Sequence, residues 1–223
     1  MNIYVYADWR GLDEGPVLMG ILSVAHTKGH QVFSFEYDRN WLKKGLAQDL
    51  DPDLQFYSGP QYLGQGKNNF GLFMDSSPDR WGRTLMDRRE AILARLEGRK
   101  PRKLFEEDYL LGVYDSHRMG GLRFKIEGSE NFQHEDIDLA SPPWTSLREL
   151  EHASLSLEKD LLNDEAARKW INMLIAPGAS LGGARPKASV LDERGSLWIA
   201  KFPSINDTHN IGAWEMLVNE MAG

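Results

Sequence analysis

Between Ala179 and Lys201 the chain reads ASLGGARPKASVLDERGSLWIAK, a glycine-rich turn followed by two β-patterned runs, the second of which ends on lysine. Gly182, Gly183 and Ala184 put three small residues in a row, so a phosphate can approach backbone N–H groups without meeting a branched side chain. Lys187 closes the turn, and Lys201 can lie alongside as a point positive charge. The chemistry this suits is the binding of a polyphosphate. A plain tight turn is the other reading of Gly-Gly, and the G-x-x-x-x-G-K-[ST] spacing of a P-loop is absent.

Two-residue alternation puts Lys201 on one strand face with Leu197 and Ile199. An ammonium on a buried apolar face requires a partner, whereas a lysine at a strand end can also snorkel to water. A partner is within reach. After a turn-like Pro203–Asn206, the stretch from Asp207 or Thr208 to Ala222 has helical spacing, with Ile211, Trp214, Leu217, Val218 and Met221 as its apolar face. At 100° per residue Glu215 falls at the edge of that face beside Ile211, while Glu220 points to the far side. Glu215 is therefore the expected partner of Lys201; a solvated helix-edge glutamate is the alternative. Ser180, just before the glycines, is placed to cap the turn or to be a phosphosite whose charge would repel a bound phosphate.

The elements that must hold these residues follow an α+β pattern. Residues 2–7, 17–24 and 31–37 alternate as strands separated by Gly11, Gly15–Pro16 and the polar stretch His26–His30, which predicts a small antiparallel meander. A short helix follows over 40–46, and 51–71, punctuated by Pro52, Pro60 and glycines, reads as irregular loop. In SSPDRWGRTLM (76–86), Ser77 is the predicted N-cap, Pro78 the first helical residue and Asp79 a dipole complement. The helix should run to about Leu96 and bury Trp81, Leu85, Ile92 and Leu96. Residues 104–113 look helical and 120–126 alternate as a strand. A polar, acidic stretch to Pro142–Pro143 marks the expected boundary between a domain over 1–128 and another over 129–223. Helices are predicted over 147–162 and 165–175.

With 223 residues, 41% hydrophobic and 26% charged, the composition is that of an ordinary globular chain. Cysteine is absent, which excludes disulfides and thiolate metal sites and agrees with a reducing, cytoplasmic setting. No secretory signal and no membrane span is expected. The net charge of -7 argues against a nucleic-acid coat, yet seven basic residues crowd Arg88–Lys103 against Glu90 and Glu97. They are either a solvated helix end or a docking patch for an acidic partner. The histidines form no H-E-x-x-H motif, and no metal site is expected. Asp115-Ser116-His117 is too local for a catalytic triad.

Several longer phrases give the chain a likeness to a family. FGLFMD (70–75) running into SSPDRWGRTLM (76–86), DYLLGVYDSHRMGGLRF (108–124), SLGGARPKASV (180–190), WIAKFPS (198–204) and GAWEMLVNEMAG (212–223) together resemble the HipA-like serine/threonine kinases, toxins of bacterial toxin–antitoxin modules. The resemblance implies a β-rich N-terminal subdomain followed by part of a protein-kinase-like N-lobe. It implies that Gly182, Gly183, Ala184 and Lys187 line the phosphates of ATP, that Lys201 holds the α/β-phosphates, and that Glu215 orients Lys201, as the strand lysine and helix glutamate do in protein kinases. Ser180 matches the family's autophosphorylated, inactivating loop serine. Mg²⁺ as cofactor, a protein substrate such as an aminoacyl-tRNA synthetase, and restraint by a helix-turn-helix antitoxin of the HipB type, and through it operator DNA, are implied likewise. The family's catalytic Asp and Asn and its Mg²⁺ aspartate come after the helix of Glu215 and have no match here. The expectation is therefore an N-terminal portion of such a kinase, with no catalytic base and no activity by itself. The alternative is a non-catalytic module that docks a separate kinase lobe or antitoxin.

Overall fold

The computed structural model describes residues 1–12, 15–27, 30–45, 49–64, 66–115, 118–133, 146–159, 164–175, 183 and 185–223. The chain is α+β and divides into two units, Met1–Pro78 with Leu104–Asp136, and Asp79–Lys103 with Ile137–Gly223. The division is discontinuous, unlike a single cut after residue 128. The segment 79–103, read from the sequence as part of the first domain, belongs by its contacts to the second.

In the first unit, β1 (Asn2–Ala7), β2 (Val17–Thr27), β3 (His30–Tyr37), β4 (Gln61–Tyr62) and β5 (Leu122–Ile126) form one antiparallel sheet in the order β4-β3-β2-β1-β5. The predicted meander is its centre, and alternation decides its buried face: Ile3, Val5 and Ala7 on β1, and Phe33, Phe35 and Tyr37 on β3, all point into the core. Gly20 of β2 stands opposite Tyr37 of β3. A Cβ there would lie 2.3 Å from the Glu36 carbonyl oxygen, so only glycine fits. Helix α1 (Arg39–Lys43) is capped by Asp38, whose Oδ1 accepts from Asn40 N at 2.8 Å and Trp41 N at 3.2 Å. It seats Trp41 in the same core.

Strand β4 lies inside the stretch 51–71 read as loop, and helix α2 (Gly71–Asp75) begins at its end; two and five residues are too short to show a period. Asp51 ties that stretch down, accepting from Asp53 N at 2.9 Å and Leu72 N at 2.8 Å. Helix α4 (Glu106–Leu111) completes the unit. His26 and His30 are four residues apart, but they lie on the two strands of the β2–β3 hairpin and not on one helix face. Among the described residues no group of three His, Cys, Asp or Glu is placed to hold a metal ion. No helix among them is long and apolar enough to cross a membrane.

The second unit packs α3 (Arg80–Leu96), α5 (Leu147–Glu158) and α6 (Asp164–Ile175) with the hairpin of β6 (Lys187–Leu191) and β7 (Leu197–Lys201); α7 (Ile211–Ala222) follows. Apolar residues at helical spacing make the core: Trp81, Leu85 and Ile92 from α3, Leu150, Ala153 and Leu157 from α5, Ala167, Ile171 and Leu174 from α6. Ala188, Val190 and Phe202 close it. Two details of α3 differ from expectation. Its N-cap is Asp79, whose Oδ1 accepts from Gly82 N at 2.8 Å, because Ser77 is already spent donating to Phe73 O at 2.8 Å. Leu96 is exposed, the helix end having left the core.

The basic stretch at the end of α3 is partly neutralised within its own unit. Arg99 donates to both oxygens of Glu90, at 2.5 and 3.2 Å, and to Glu97 at 2.5 Å, while Arg102 N donates to Glu90 at 2.8 Å. Arg88 reaches the Leu157 carbonyl. The hydrogen bond from Arg99, helped by Arg102 N, holds the Glu90 carboxyl down to about 2 from its ordinary 4.5. A depressed folded-state pKa contributes stability above the unfolded value, and that stability is lost as pH falls from 4.5 towards 2. Urea titration of wild type and Glu90→Gln at pH 7 and pH 3 should therefore show a smaller acid loss in the variant. Water around the Arg99 guanidinium screens the pair and keeps the difference small.

Candidate functional site

Lys201 is positioned by a chain of local contacts. At the β6–β7 turn, Asp192 accepts from Arg194 N at 2.9 Å, Ser196 N at 2.7 Å and the Trp198 indole N–H at 3.0 Å. The indole N–H, more than the backbone donors, lowers its pKa. Gly195, with φ +75°, makes that reversal possible. The register pairs Lys187 with Lys201 and Ser189 with Ile199. Phe202 N donates to Pro186 O at 2.8 Å and its ring is buried, so the chain leaves the hairpin at a fixed point.

The following turn is held from two sides. The Glu158 carboxylate of α5 accepts from Ser204 Oγ and Ile205 N, both at 2.9 Å. Arg185 grips Asp207 with two guanidinium nitrogens, at 3.2 and 2.5 Å, and donates Nε–H to Phe202 O at 3.1 Å. Asn210 then caps α7, its Oδ1 accepting from Ala213 N at 3.0 Å. These anchors set the start of α7 so that Glu215, one turn in, faces Lys201. Lys201 Nζ donates to both carboxylate oxygens, at 3.1 and 3.0 Å. Glu215, and not Glu220, occupies this place, as the 100° spacing predicts.

With side chains 52% and 51% exposed, the Lys201–Glu215 pair contributes about 0–1 kcal/mol to stability. What it does instead is orient a cation. Both residues line a cleft of about 230 Å³ together with Arg185, Asp207, His209 and Gly212. The cleft thus holds two permanent cations, each oriented by a carboxylate, beside the first turn of a twelve-residue helix. An anionic oxygen entering it meets the Lys201 ammonium and the Arg185 guanidinium.

The remaining predicted residues divide. Ser180, Gly182 and Ala184 lie outside the described residues. Gly183 has φ +95°, a backbone conformation that favours glycine. Lys187 is not among the residues lining the cleft; its ammonium pairs with Asp79 and donates to Gly183 O at 3.3 Å. The apolar strand face around Lys201 is open: Leu197 and Ile199 are 43% and 50% exposed, so Lys201 needs no partner on desolvation grounds. The expected apolar face of α7 is exposed too, and the helix buries none of its residues.

Arg185, Asp207, Glu158 and Asp79 are site residues that the sequence does not single out. Asp79 is legible as a helix-start residue, but nothing in local spacing shows a partner 108 positions away. Arg185 stands inside the glycine-rich turn, where its small neighbours carry the phosphate-loop signal. No protein-family model matches the chain, and no curated protein and no solved structure is detectably similar to it.

Proposed function

We propose that the chain is the N-terminal part of a HipA-like serine/threonine protein kinase and that its second unit contributes the phosphate-binding side of an ATP·Mg²⁺ site. The observation that carries this reading is the Lys201–Glu215 pair, a strand lysine held through both oxygens of a glutamate on the next helix. Lys201 meets the α/β-phosphates and Glu215 sets its direction. Ser180 is the site of an inactivating phosphorylation, and a protein substrate and a helix-turn-helix antitoxin are the macromolecular partners, in the cytoplasm. The residues assigned here bind and orient a nucleotide; none is assigned the role of catalytic base, and the chain alone transfers no phosphate.

The test is a titration of the chain with Mg·ATP followed by backbone amide NMR. Weak binding, in the millimolar range, should move the resonances of Gly183, Lys201 and Gly212, and Lys201→Ala should abolish the response. Silence at these positions counts against the reading. One observation favours a second reading. Trp214, Met216, Leu217, Val218 and Met221 on α7 are all exposed, which suits a non-catalytic module that docks a separate kinase lobe or antitoxin. In that case nucleotide leaves the spectrum unchanged and substitutions on α7, not Lys201→Ala, disrupt the docking.

A further inference from the structure

Two lysines stand directly opposite each other on the β6–β7 hairpin, Lys187 and Lys201, so both side chains leave the same face of the ribbon. Like charges in that relation repel, and each ammonium has its own anion: Asp79 for Lys187, Glu215 for Lys201. The two pairs differ in kind. The side chains of Lys187 and Asp79 are 4% and 6% exposed, against about half for the other pair. Both oxygens of Asp79 are in use, one on Lys187 Nζ and the other on Gly82 N as the cap of α3. The main chain of Lys187 is held by the same helix end, Trp81 Nε1 donating to its carbonyl at 3.0 Å. Lys187 Nζ in turn holds the carbonyl of Gly183. A Lys187 ammonium turned toward a ligand would abandon a buried carboxylate to which no other cation among the described residues is bonded, and such a charge is costly.

We infer that Asp79 is a positioning residue that keeps Lys187 off the ligand and, through Lys187, latches Gly183 to the start of α3, leaving Lys201 as the hairpin lysine that meets a bound phosphate. The latch stands on the geometry alone, and the part concerning phosphate rests on the nucleotide reading above. This departs from the assignment of Lys187 to the phosphates that the family resemblance implies.

The test is trace acetylation of the whole chain with acetic anhydride, read lysine by lysine by mass spectrometry, with and without Mg·ATP. Because reagent must wait for local opening to reach a buried amine, Lys187 should react at least about tenfold more slowly than Lys201 in the wild type. Asp79→Asn keeps the helix cap and the shape but removes the anion, and should raise the Lys187 rate towards that of Lys201. In the wild type Mg·ATP should slow Lys201 and leave the Lys187 rate unchanged. Lys187 reacting as fast as Lys201 in the wild type overturns the latch, and this comparison stands even if the variant does not fold. Nucleotide protection of Lys187 in the wild type overturns the assignment of the phosphate to Lys201. If Mg·ATP slows neither lysine while the wild-type ratio holds, the nucleotide reading fails and the latch is upheld.

Discussion

Replacing Asp79 with alanine is expected to destabilise the second unit by about 3–5 kcal/mol, because it removes the buried carboxylate that pairs with the Lys187 ammonium. About 1 kcal/mol of that is the lost cap at Gly82 N. The effect of the pair separates from that of the cap in a double-mutant cycle. Lys187→Met alone breaks the same pair, whereas Asp79→Ala with Lys187→Met removes both charges and should cost far less than the two single changes summed. Urea unfolding followed through the fluorescence of Trp81, Trp170, Trp198 and Trp214 reports on this unit. Additive single effects would show that the two side chains are not coupled.

Arg118→Met should have a comparable effect on the first unit, on the order of 3 kcal/mol or more. The guanidinium is buried and bonds to three backbone carbonyls: Ser76 O at 2.7 Å, Leu110 O at 2.8 Å and Val113 O at 3.2 Å. It also lies over the Phe124 ring, 4.6 Å from its centre. Burial pushes its pKa down to about 10, against the opposing pull of the Asp115 charge, so it is still a cation at neutral pH. Ser76 is the C-cap of α2 and Leu110 is in α4, so one side chain joins two short helices. Methionine fills similar volume but leaves three buried carbonyls without this donor. Arg118→Lys should recover only part of the loss, since a single ammonium cannot reach in three directions as the planar fork does. A urea transition of the first unit that does not move in Arg118→Met would contradict this.

The elements that can be read from the sequence are those whose buried side repeats. The alternation of Ile3, Val5 and Ala7, and of Phe33, Phe35 and Tyr37, shows the sheet. The i, i+3, i+7 spacing of Leu150, Ala153 and Leu157 shows α5. The same periodicity chooses Glu215 over Glu220. What escapes depends on contacts distant in sequence. Nothing local says that α3 packs with α6 across the acidic stretch, and that packing is why the units do not follow a single cut. Apolar spacing on α7 shows a face but not whether anything covers it. Lys201 would need a partner if Leu197 and Ile199 beside it were buried, and they are not. Asp79 and Lys187 each have a plausible local role, dipole complement and phosphate ligand. Their pairing appears only when the helix start and the hairpin are brought together.

The most direct test of a nucleotide site at Lys201 is to express the whole reading frame that encodes this chain, incubate the product with Mg·ATP, and follow the peptide containing Ser180 by mass spectrometry. Phosphate should appear on Ser180 and be lost in Lys201→Ala. A product that neither binds ATP nor gains phosphate on Ser180 would contradict the kinase reading and leave Lys201–Glu215 as a surface ion pair.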